Sequence, residues 1–204
     1  MIAALKHHIS SPVLAGICIG IAATTYLNVG GVTGAVFFGF GLMTVITLGF
    51  CLFTGRAGFY EGRQTAELVP MLLLNIVGCA LVAIMTDSPR LNEASIAIVE
   101  RRLSAGWLQC GLLAIGCGLI MTTAVINGRR GNWWPLLLGV PTFIICGFPH
   151  CVADVYYYTS ALMHSGDCDT LQLTLCYIAS VIGNYAGCNL YRLAPATSAS
   201  AASH

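Results

Sequence analysis

The chain has 204 residues, 57% of them hydrophobic and only 8% charged, with a net charge of +1. A soluble domain carries about 25% charged residues, and a mean hydropathy of +0.81 leaves no polar shell for one, so the sequence reads as an integral membrane protein. With no basic cluster larger than Arg101-Arg102 or Arg129-Arg130, nucleic acid held through counterion release is excluded as a partner.

In chain order, no charged side chain stands between Lys6 and Arg56. That leaves room for two spans, near 12–28 and 34–53, joined by a Gly-rich turn from Asn28 to Gly34. The apolar stretch after Pro12 is too long for a removed signal peptide and is kept as the first span. Charge-free intervals at Leu68–Thr86, Leu103–Gly128, Gly131–Ala153 and Thr170–Tyr191 predict four more. These lie near 68–85, 105–126, 135–162 and 170–191, each long enough to cross about 30 Å of hydrocarbon as a helix. The Ala/Ser-rich stretch 194–204 reads as a loose tail. Lys6, Arg56, Arg63, Arg129, Arg130 and Arg192 fall on one side and Arg90, Arg101 and Arg102 on the other. This bias predicts cytoplasmic N- and C-termini in a multi-pass cell inner membrane protein, with Asp167 and Asp169 outside.

An internal echo divides the chain near residue 95. Asn75-Ile-Val-Gly78 in the third span matches Asn184-Tyr-Ala-Gly187 in the sixth, and the second span ends in Leu52-Phe53-Thr54-Gly55 where the fifth is interrupted at Gly147-Phe148-Pro149-His150. Three spans followed by three similar ones have opposite orientations. The predicted fold class is therefore an all-α membrane protein of six transmembrane helices in two inverted three-helix repeats, about 12–85 and 105–191, within a single domain over 1–193. Inverted repeats place a site at their interface, where helices break near the midplane, which here means Thr54 and Pro149-His150.

His150 is the one histidine deep in an apolar span, and an ionisable group inside hydrocarbon is by default functional. The competing reading is a core histidine bonded to a carbonyl. Pro149 removes a backbone donor and frees carbonyls that need a partner. Asp154, four residues on, either accepts a proton or hydrogen bond from His150 or caps the helix restarting there. Phe38, Leu42, Leu52, Phe53 and Phe143 either line constrictions or simply pack. Asn75 and Asn184 are read as interhelical hydrogen-bonding residues, worth about 0.6 kcal/mol on average in membranes, with Gly78 and Gly187 allowing close approach. Eight of the ten cysteines lie in apolar stretches, where cysteine acts as a small hydrophobe. No C-x-x-C pair or zinc-ligand spacing occurs, and no cofactor is expected.

Gly147-Phe148-Pro149-His150-Cys151-Val152-Ala153-Asp154 resembles the G-F-E-H-[SC]-x-A-N signature of the formate/nitrite transporter family. Leu52-Phe53-Thr54-Gly55 resembles that family's L-x-T-[GS] break in the second helix, and Gly183-Asn184-x-x-Gly187 its G-N-x-x-G sixth helix. With Ala15-Gly16 on the first span, the similarity runs from Pro12 to Leu193. The resemblance implies an aquaporin-like protomer in a homopentamer with one pore per subunit. It also implies passage of small monovalent anions or their weak acids, such as formate, nitrite, hydrosulfide or lactate, and no enzymatic activity. By motif, Thr54 and His150 become the central polar pair, and Phe38 and Phe143 the apolar constrictions with Leu42 and Leu52 beside them. The sequence departs from the pattern at three places. Pro149 replaces the family's glutamate, Asp154 its asparagine, and the family's lysine before the fourth helix is absent because Lys6 is the only lysine; Arg101 or Arg102 could substitute for it, with Glu93 and Glu100 nearby.

A bare anion crossing apolar constrictions meets a large desolvation penalty that a neutral acid avoids. The expected path is thus attraction of the anion at a vestibule, proton transfer near His150, whose unperturbed pKa is about 6.5, and passage as a neutral molecule. The alternatives are a channel for a neutral or cationic solute, favoured by the missing lysine and the acidic Asp154, and a membrane oxidoreductase. Haem between helices commonly needs two buried histidines, and only His150 qualifies.

Overall fold

The structure, a computed structural model, describes residues 2–194 apart from 165 and 167. The expected tail beyond Ala194 and the expected placement of Asp167 fall outside the described residues. Eight α-helices follow in order: α1 Ile2–Val29, α2 Gly31–Thr47, α3 Phe53–Arg56, α4 Leu68–Met85, α5 Pro89–Gly128, α6 Trp134–Ile145, α7 Ala153–His164 and α8 Thr170–Asn189, with 3-10 turns at Gly62–Glu67 and Leu190–Leu193. No strand occurs among the described residues. Three stretches, Ile9–Val29, Gly62–Met85 and Pro89–Gly128, are long and apolar enough to cross a membrane by themselves, and Gly31–Thr47 and Trp134–Ile145 are shorter apolar helices.

Several expected boundaries move. The turn predicted from Asn28 to Gly34 shrinks to Gly30, the only residue between α1 and α2. The second span does not continue to residue 53 but stops at Thr47, and the fifth divides into α6 and α7 around residues 146–152. The stretch before the fourth span, expected as a loop, is helical from Pro89, and the chain turns at Gly106 (φ 79, ψ 162) into the arm 107–128. Only glycine takes that backbone readily. Pro89 suits the first position of the helix, where its missing N–H costs nothing.

The first repeat comprises α1 to α4 and the second the arm 107–128 with α6, α7 and α8. In each, the first helix packs on the last, α1 on α4 and α5 on α8, and α2 meets α6 across the middle. Side-chain volume is absent from the first of these contacts. A Cβ at Gly78 would run into the carbonyl of Val13, and one at Gly187 into the carbonyl of Ile115, so each helix pair touches backbone to backbone. Outward, Val69, Leu73, Val77 and Leu81 of α4 and Leu171, Leu175, Ile178 and Ile182 of α8 are exposed. Such apolar faces suit lipid or neighbouring subunits rather than water. Inside, Thr54, Asn75, His150, Asp154 and Asn184 are each no more than 2% exposed.

Candidate functional site

The two breaks are built alike. Gly49 and Gly147 both take φ 69, and the next amide in each closes the same turn, Phe50 N–H onto the Val45 carbonyl at 2.9 Å and Phe148 N–H onto the Phe143 carbonyl at 2.8 Å. The Asn75 side-chain oxygen accepts from Phe53 N–H at 2.8 Å, while its amide donates to the carbonyls of Pro12 and Cys51 at 2.7 and 2.9 Å. Asn184 repeats this, accepting from Cys151 N–H at 2.8 Å and donating to Ala114 and Pro149 at 2.9 and 3.0 Å. In each case the acceptor and one donor serve backbone groups that the break leaves unpaired, Phe53 N–H and the Cys51 carbonyl or Cys151 N–H and the Pro149 carbonyl, while the second donor reaches a carbonyl of the helix packed alongside, Pro12 of α1 or Ala114 of α5. Asn75 and Asn184 therefore make the expected interhelical bonds, to α1 and α5, and also hold the breaks.

That role sets an expected cost. Asn75→Ala strands the buried Phe53 N–H and the Cys51 carbonyl of the break, about 1–3 kcal/mol for the donor alone, well above the average of about 0.6 for a membrane hydrogen bond. Thermal unfolding in detergent should show Asn75→Ala and Asn184→Ala losing similar, large amounts. A loss no greater than that of Thr25→Ala, whose exposed hydroxyl bonds only the Ile21 carbonyl of its own helix, would remove the assignment.

This shared scaffold fixes the register. Cys51 corresponds to Pro149 and Phe53 to Cys151, so His150 lies at the position of Leu52, and Thr54 at that of Val152. Across the two breaks the Thr54 hydroxyl oxygen and His150 Nε2 stand 3.0 Å apart, both buried. His150 Nδ1 accepts from Ala153 N–H at 3.1 Å and so carries no hydrogen. The hydrogen-bond network thus assigns the neutral ring's proton to Nε2, donating to Thr54. The Thr54 hydroxyl hydrogen then has no acceptor among the described residues. His150 also caps the restarting helix, a service typical of a side chain three residues ahead of an orphan N–H.

Aromatic rings continue from this pair. Phe143 stacks on the imidazole at 5.7 Å and 23°, and Phe38 meets Phe143 edge to face at 5.9 Å. Leu42, Leu52 and Phe53 are buried in the same core. On the side of Phe143 opens a cavity of about 180 Å³, whose lining includes His150, Phe143, Asp154, Arg102, Tyr26 and Tyr157. The Asp154 carboxylate does not meet the histidine. One oxygen takes the Arg102 guanidinium at 3.3 Å, and the other, buried, has no partner. Arg102 also donates to the Gly147 carbonyl at the break.

Sequence reasoning placed Arg102 in an outside loop as one of two substitutes for a missing lysine and did not connect it to Asp154. The only available signal was Gly106, which ends the helix carrying it. Arg56 and Arg129, at the opposite mouth, were read for topology alone. There a second cavity of about 110 Å³ includes both of them in its lining.

A family model described as formate/nitrite transporter matches residues 3–195. Formate-nitrite transporters of Plasmodium vivax and Plasmodium malariae are similar at 31% identity over 94 residues and 29% over 120, covering 43% and 53% of this chain and 30% and 37% of theirs. The chain spans about a third of the length of these curated relatives. Among solved structures, a pentameric formate channel with formate bound has a TM-score of 0.79 at 20% identity, covering 93% of this chain and 94% of its own. An FNT family ion channel has 0.67 at 19%, covering 94% and 89%. At such identities the likeness is one of fold.

Proposed function

Since the chain belongs to the formate/nitrite transporter family, we propose that it forms a membrane channel passing small monovalent anions or their conjugate weak acids, of the formate, nitrite and hydrosulfide class. The observation that carries this reading is the Thr54–His150 contact, a polar pair joining two helix breaks with the Phe143 ring stacked on the imidazole. The solved relative being a pentamer supports a homopentamer with a path through each subunit. The arginine bias supports cytoplasmic termini.

The chemistry follows from the cost of dehydrating an ion. Moving a carboxylate-sized ion from water into a medium like dry protein costs on the order of 20 kcal/mol in the idealised limit. A neutral acid loses only its hydrogen bonds, and Thr54 restores one. Both His150 nitrogens are engaged, which suits the ring to orienting the threonine hydroxyl as a fixed donor. In this arrangement the proton reaches the permeating anion from water at the vestibule, and the pair stabilises the polar end of the molecule as it passes.

Uptake into proteoliposomes of the purified oligomer tests this directly. Formate, nitrite and hydrosulfide should enter, faster per total anion as pH falls because the neutral acid fraction rises, while methylammonium should not. Flux of methylammonium alone, or of nothing, would overturn the reading, as would a single-chain mass in detergent for its pentameric part.

A further inference from the structure

The repeat register places Arg56 at the position that Asp154 holds in the second repeat, so the two mouths share a backbone plan and differ in charge. At the Phe143 mouth, Arg102 and Asp154 neutralise each other at 3.3 Å, which leaves Arg101, bonded to the Ala97 carbonyl, as the single unpaired cation among the described residues of that lining. At the other mouth, Arg56 and Arg129 line a cavity of about 110 Å³ together with Gly49, Phe50, Gly55 and Val125, room for several water-sized molecules. Neither has a carboxylate at ion-pair distance among the described residues. Their side-chain bonds are long ones to carbonyls, Arg56 to Gly49 at 3.4 Å and Arg129 to Gly55 at 3.5 Å, which leave most of each guanidinium's five donors unspent. Phe59 lies under the Arg129 guanidinium at 4.5 Å, holding its plane. The acids at this end are engaged elsewhere or lie outside the cavity: Glu61 pairs with Arg192 at 2.8 Å, and Glu67 is exposed. Partial burial, then the like charge of Arg56, holds the Arg129 guanidinium below its ordinary range. Two cations brought together beside an open cavity are relieved by an anion between them.

We infer that the Arg56–Arg129 mouth is a binding site for one small planar anion presenting two oxygens, of the carboxylate or nitrite type, and that it makes the permeation path asymmetric. A guanidinium fork matches two oxygens of one anion with parallel hydrogen bonds. Hydrosulfide, with a single spherical acceptor, gains only the charge. The inference rests on the channel reading for its effect on flux but not for binding. In a passive path the ratio of maximal rate to half-saturating concentration is the same from both sides. A site filled from one mouth therefore appears as a lower half-saturating concentration and a lower maximal rate from that side.

The test has two arms. In the first, ¹³C-formate line broadening is measured with the purified oligomer, wild type against Arg56→Gln, Arg129→Gln and the double variant. Each single change should weaken formate binding roughly tenfold, the worth of one charge-assisted hydrogen bond, and the double variant should abolish the broadening. Arg129→Lys keeps the charge without the fork, so it should weaken formate and leave hydrosulfide competition unchanged. In the second arm, formate entry is measured in vesicles sorted by orientation. Wild type should half-saturate at lower concentration from the arginine mouth, and the double variant should lose that sidedness. Broadening that persists in the double variant overturns the site, whatever the flux. Arginine-dependent binding in a protein that passes no anion upholds the site and defeats the channel reading.

Discussion

His150→Phe is expected to assemble and to lose formate flux by a factor between about five and about a hundred, since a lost buried hydrogen bond of about 1–3 kcal/mol corresponds to that range. Phenylalanine fills the space against Phe143 and keeps the ring stack. It cannot donate to Thr54, so the hydroxyl loses its fixed orientation. It also leaves Ala153 N–H without the acceptor that Nδ1 supplies, a missing cap costing about 1 kcal/mol. The melting temperature in detergent should therefore drop modestly while the oligomer persists. His150→Asn separates the two roles, because asparagine is a good cap but too short to serve Thr54 in the same way. Its stability should sit nearer wild type than that of the phenylalanine variant, with flux still reduced. Wild-type flux and an unchanged pH profile in correctly assembled His150→Phe would remove the histidine from the path.

Arg102→Met should be the most damaging single change at the Phe143 mouth. Asp154 is 1% exposed, and Arg102 is its only charged partner among the described residues. Breaking a buried pair by removing one member costs about 3–5 kcal/mol, because the survivor keeps its charge without compensation. The yield of assembled oligomer should collapse. Arg102→Met with Asp154→Leu removes both charges and should recover most of the loss, as apolar replacement of a buried pair is often near neutral. Asp154→Asn should cost less than Arg102→Met, since asparagine keeps an oxygen that accepts from the guanidinium and the Arg102 side chain is 12% exposed against 1% for Asp154. By unmasking the guanidinium, this change should also lower the half-saturating formate concentration from that side. A double-mutant cycle on detergent melting temperatures reads the coupling. Arg102→Met as stable as wild type would mean that the pair holds nothing together.

Much of this arrangement is legible in the residues, and the exceptions have physical causes. Long intervals without charge locate the spans because hydrocarbon excludes charge, and the third span, 68–85, coincides with α4. The same rule hides the helix that opens at Pro89. Glu93, Glu100, Arg101 and Arg102 make it read as a loop, although helix formation does not require an apolar sequence. Family motifs bring Thr54 and His150 together, and the geometry agrees at 3.0 Å. Spacing, however, suggests a His150–Asp154 bond one turn apart, whereas the capping bond to Ala153 turns the imidazole away. The partner of Asp154 comes from 52 positions earlier in the chain, and no local pattern encodes that meeting.

The backbone contacts at Gly78 and Gly187 bear on how the path moves. A side chain between two helices can change rotamer and let them slide, but a carbonyl pressed against a glycine Cα has no second arrangement to adopt. With α1 fastened to α4 and α5 to α8 in this way, rocking of whole helices is the stiffest motion open to the protomer. Near the centre the groups without such backbone fastening are side chains, foremost the buried rings of Phe38 and Phe143. On the proposed channel reading, passage then requires these two rings to turn within a frame that holds still.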